Sequence, residues 1–97
     1  MRKSELKGKK CLEVSPERKV NLEYYLIKEE REDLDSVLYG VSIRKNEGTR
    51  EEIEEISGIT YSKEIAENIV HLLMTHDVTP IAMIPIVDDF ITERICS

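Results

Sequence analysis

This chain has little of what reaction centres are built from. Its 97 residues include two cysteines, two histidines and four glycines, and none falls into a pattern that chemistry requires. Cys11 and Cys96 stand near opposite ends. Two are too few for a disulfide framework, and no Cys-x-x-Cys or Cys/His spacing offers a zinc site. Free thiols suit a reducing cytoplasm. His71 and His76 are five residues apart, not the four that put paired metal ligands on one helix face. Gly8, Gly40, Gly48 and Gly58 form no phosphate-cradling cluster, and Ser57-Gly58 lacks the rest of a Gly-x-Ser-x-Gly elbow. No catalytic, cofactor-binding or metal-ligating set is expected. No run of eighteen apolar residues is available to span a membrane. The charged N-terminus leads into no apolar segment of signal-peptide length, so the expected location is the cytoplasm.

Charge is abundant but unevenly placed. The net charge is −6. Residues 1–19 carry seven basic side chains against three acidic ones, and the rest of the chain carries seven against seventeen. So acidic a body repels nucleic-acid phosphates and anionic membranes. Only the basic N-terminal segment could touch a polyanion. Residues 1–18 read as a basic tail, because Leu6, Cys11, Leu12 and Val14 are too few apolar groups to offset the entropy of ordering. An edge strand over Cys11–Val14 is the alternative. Residues 19–97 then form a single α+β domain.

Two segments alternate with period two, as strands do. Val20, Leu22, Tyr24 and Leu26 share one face, and so do Val37, Tyr39, Val41 and Ile43. A four-residue turn at 32–35 pairs Arg31 with Ser36, Leu26 with Val41 and Tyr24 with Ile43, which brings the two apolar faces together. A turn one residue longer or shorter would flip one set to solvent. Thr49 to Ile59 admits two readings. Thr49-Arg50-Glu51-Glu52 has the form of a capping box, yet Ile53 and Ile56 make a poor helical stripe. A strand over 51–59, with Ile53, Glu55, Ser57 and Ile59 on one face, supplies the third member that a marginal hairpin needs.

From Tyr61 the period becomes helical. Ile65, Ile69, Leu72, Leu73 and His76 recur at helical spacing, widened by Tyr61, Ala66 and Val70, with Thr60 or Ser62 as cap. A second helix is expected to begin at Pro85, which suits a first helical position, and to bury Val87, Phe90, Ile91 and Ile95. Asp88 and Asp89 then lie in its first turn, where the dipole favours acids. The expected fold is α+β: a three-stranded antiparallel meander followed by two C-terminal helices packed on one sheet face.

These pieces, in this order, resemble a known family. Leu26-Ile27-Lys28-Glu29-Glu30, Tyr39-Gly40-Val41-Ser42-Ile43, a helix ending Leu72-Leu73, Val78-Thr79-Pro80 and Val87-Asp88-Asp89-Phe90-Ile91 resemble short uncharacterised proteins of clostridia-type bacteria carrying a domain of unknown function. The likeness covers roughly residues 20–91. It implies three strands and then two helices, and it implies no activity. Many members carry a histidine two residues after the proline, where this chain has Ala82.

The expected function is therefore a non-enzymatic protein-interaction or regulatory module, with a homodimer as one form. Tyr25, Ile27 and Leu38, on the second face of the hairpin, are candidates for the contact surface, since clustered apolar groups mark interfaces. The alternative is a ligand-binding protein or enzyme with a site between the sheet and the 79–89 connection, where Thr79, Asp88 and Asp89 form a polar rim. Adjacent aspartates on a helix point about 100° apart and do not converge as paired acids must. The tyrosines stand among glutamates, so stacking on nucleic-acid bases is disfavoured.

Overall fold

The computed structural model describes residues 2–31 and 36–96. The expected turn at 32–35 and the side chain of Ile95 lie outside the described residues. Four antiparallel strands, β1 (Arg2–Ser15), β2 (Arg18–Arg31), β3 (Ser36–Glu47) and β4 (Arg50–Thr60), run in the order β1-β2-β3-β4. The helices α1 (Lys63–Thr75) and α2 (Pro80–Cys96) follow.

The central hairpin has the expected register: Arg31 pairs with Ser36, Leu26 with Val41 and Tyr24 with Ile43. Val20, Leu22, Tyr24, Leu26, Val41 and Ile43 are all buried in one core with residues of both helices. The segment from 50 to 60 is a strand, with Ile56 opposite Val41. Ile56 packs on the core, whereas Ile53 is 52% exposed on the opposite face. Beyond Ile56 the register slips. β3 advances from Val41 to Tyr39 while β4 advances from Ile56 to Thr60, and Gly58 takes φ +65° within that bulge. The bulge presses on Gly40, where a Cβ would lie 2.3 Å from the Ile56 carbonyl oxygen. Only glycine fits beneath backbone so close.

The sheet has four strands, which corrects the expected three. Residues 2–15 pair along β2 from Arg2↔Glu29 to Ser15↔Arg18, with register shifts between Leu6 and Gly8 and between Glu13 and Ser15. Backbone pairing, not apolar content, makes this segment a strand. Four side-chain features tie it down. Leu12 packs on the core. Gly8 leaves space for the Met74 side chain. Lys10 Nζ donates to Asp77 Oδ1 at 2.5 Å, and Arg2 pairs with Glu55. Its lysines and bulges are what exposed edge strands use against aberrant pairing.

α1 is capped by Ser62, whose Oγ accepts from the Ile65 N–H. Its buried face is Ala66, Ile69, Val70 and Leu73, while Ile65 and Tyr61 are exposed and His76 is the exposed C-cap. The helix closes in a Schellman turn: Asp77 N–H donates to Met74 O and Val78 N–H to Leu73 O. Asp77 occupies the left-handed position with φ +50°. The second helix corrects another expectation. It begins at Pro80, so Pro85 lies inside it. Pro80, Met83 and Val87 face the core, and Asp88 and Asp89 sit beyond the first turn.

Candidate functional site

Three regions bear on function. The first is the expected polar rim. Thr79 is half-buried ahead of α2, where its carbonyl accepts from the Ala82 N–H. Asp88 and Asp89 are exposed more than two turns further along. None of the cavities described here is lined by these three residues. Among the described residues no three His, Cys, Asp or Glu side chains are grouped to hold a metal ion. The connection carries a structural bond instead: the buried Tyr24 hydroxyl donates to the Val78 carbonyl at 2.9 Å. Burial, aided by the Asp77 carboxylate, pushes this phenol up to about 12.

The second region is the sheet face turned away from the helices. By register it carries Leu6, Tyr25, Ile27, Leu38, Ser42 and Ile53. Tyr25 and Leu38 are half-buried, and Ile27 is only 1% exposed although it stands outside the main core. The Arg2–Glu55 ion pair lies on this face. It joins the two edge strands, and the line between them passes over Ile27 and its partner Gly40. Nearby, the Arg44 guanidinium lies 5.8 Å from the Tyr25 ring centroid, a cation–π distance. Burial, with the Glu23 carboxylate next, raises the Tyr25 phenol. Of the three residues expected to form a contact surface, Ile27 is buried and Tyr25 and Leu38 are half-buried, while Leu6 and Ile53 on the same face are exposed.

The third region was not singled out from the sequence. Pro80 to Val87 is apolar on every side of α2, yet only part of it meets the core. Ile81 is 77% exposed, Ile84 44%, and Pro85 is exposed beside them. At i, i+3 and i+4 these form one outward stripe. A helix apolar all round is normally buried all round. With the helix started at Pro85, this stripe fell partly in a connection; moving the start to Pro80 brings it together.

A cavity of about 360 Å³ opens at the other end of the helix layer, lined by Lys3, Ser4, Glu5, Leu26, Lys28, Tyr39 and Lys63. Leu26 and Tyr39 supply its less polar wall and the lysines surround it. No helix of the described residues is long and apolar enough to cross a membrane.

No curated protein and no solved structure matches the chain. A family model does match, over residues 3–93, and the sheet and both helices fall within that span. The chain belongs to DUF6514, a family of unknown function.

Proposed function

We propose that this protein is a non-enzymatic interaction module of a bacterial cytoplasm, in clostridia-type organisms, and that it self-associates through the outward face of α2. The observation that carries this reading is the stripe Ile81, Ile84 and Pro85, left in water on a helix whose first eight residues are all apolar. Exposed large aliphatics in a continuous row mark contact surfaces more strongly than scattered ones do.

Charge favours this face over the sheet edges as the self-contact. Two-fold dimers join like to like. β1 carries five basic and two acidic side chains, and β4 carries one basic and four acidic. A symmetric dimer through either edge would set like charges together. A two-fold axis near Ile84 instead sets aliphatic against aliphatic, and the Asp88 carboxylates can leave a crossed helix pair for water.

Sedimentation equilibrium across a wide concentration range tests the proposal. Self-association that disappears in Ile81→Glu and Ile84→Glu, with the circular dichroism spectrum unchanged, supports it. A monomer at every concentration, or a dimer indifferent to both substitutions, overturns it. The ligand-binding alternative, with its rim at Thr79, Asp88 and Asp89, draws no support from the four cavities described.

A further inference from the structure

We propose that the cavity among Lys3, Lys28 and Lys63 binds a small dianion of the phosphate monoester class. The three lysines come from three elements, β1, β2 and the start of α1, and line one cavity of about 360 Å³. That volume lies within the usual range of roughly 300–1,000 Å³ for small-molecule sites.

Their placement costs stability in the empty protein. Lys3 and Lys28 stand directly opposite each other in the β1–β2 ladder, and directly opposed like charges on a sheet repel. Lys63 is the first residue of α1, where the helix dipole disfavours a cation. Compensation within the chain is partial. Lys28 Nζ lies 3.4 Å from Glu30 and Lys63 Nζ 3.8 Å from Glu67, both across half-exposed surface. Lys3 has no ion pair among the described residues. Within the lining three lysines face one carboxylate, Glu5; with Glu30 and Glu67 counted the charges balance, so a dianion binds by displacing these two half-exposed, weakly held partners. A phosphate monoester carries about −1.5 to −2 near neutral pH, and lysine serves phosphate as a point charge.

The rest of the lining suggests what the phosphate is attached to. Tyr39 pairs with Lys28 across β2 and β3 and shares the cavity with buried Leu26. The volume exceeds that of phosphate alone, so an aromatic or other flat organic group has room against Tyr39 while its phosphate meets the lysines.

The test is an amide-shift NMR titration of the full chain at fixed ionic strength with three probes: phenyl phosphate, inorganic phosphate and benzenesulfonate. The expected order of affinity is phenyl phosphate, then phosphate, then the singly charged sulfonate, with shifts centred on residues 3–5, 26–28, 39 and 63. Lys3→Gln, Lys28→Gln and Lys63→Gln should each weaken phenyl phosphate binding by roughly tenfold, the scale of one lost charged hydrogen bond. The distant Lys19→Gln should leave it unchanged. Lys28→Gln should also raise the melting temperature of the ligand-free protein, because it removes a like-charge pair; a merely structural lysine would lower it. Equal weakening by Lys19→Gln and Lys28→Gln, or no localised shifts at about 10 mM phenyl phosphate, would overturn the proposal.

Discussion

Two residues hold parts of the chain together that lie far apart in sequence. Tyr24 is fully buried in β2 and reaches 54 positions ahead to the Val78 carbonyl. Its phenol is raised from 10.0 to about 12. The folded state therefore favours the protonated form. Its contribution is fully present below pH 10 and is lost as pH rises through about 12. Alkaline unfolding followed by far-ultraviolet circular dichroism should lose that step in Tyr24→Phe. The same variant should be less stable at neutral pH by about 1–3 kcal/mol, since the Val78 carbonyl loses its buried donor. Gly40 is the other. A methyl group there meets the backbone of Ile56 and Ser57 rather than a movable side chain. Gly40→Ala should cost about 1–3 kcal/mol in urea denaturation, as overpacking does. Gly40 pairs with Ile27, and the bulge lies in the neighbouring strand.

Among the elements, legibility followed burial. β2 and β3 alternate because one face is packed, so even their register could be read from the residues alone. β1 could not be recognised in that way. Most of its side chains meet water, its pairing is carried by backbone groups, and two register shifts break its alternation. A Lys-rich, sparsely apolar segment is as compatible with an edge strand as with a tail. α2 was read with the wrong start because proline signals a first turn, and the chain holds two candidates five residues apart. Pro80 is the one that starts the helix, so Pro85 removes an amide donor from its interior. Pro85 is exposed and its ring adds nothing to the core. Pro85→Ala should therefore stabilise the protein, by up to about 3 kcal/mol, as an increased melting temperature in calorimetry.

At the scale of the whole molecule, one sheet face is covered by two helices and the other is partly closed by the Arg2–Glu55 bridge. Charge is sorted across the sheet, basic along β1 and acidic along β4. The candidate site was the least legible part. The acidic pair Asp88-Asp89 lies on the exposed side of α2, more than two turns from Thr79. The lysine cavity joins residues 3, 28 and 63, which no linear pattern connects without knowing that β1 is a strand. The apolar stripe of α2 likewise required the correct helix start before its exposed half could be distinguished from its buried half.

The most direct test of the central claim is the sedimentation equilibrium comparison of the intact chain with Ile84→Glu. The mass of the intact chain should rise from monomer toward dimer with concentration, while that of the variant stays at one chain with its fold intact. A monomeric intact chain throughout, or identical curves for the two proteins, would contradict self-association through α2.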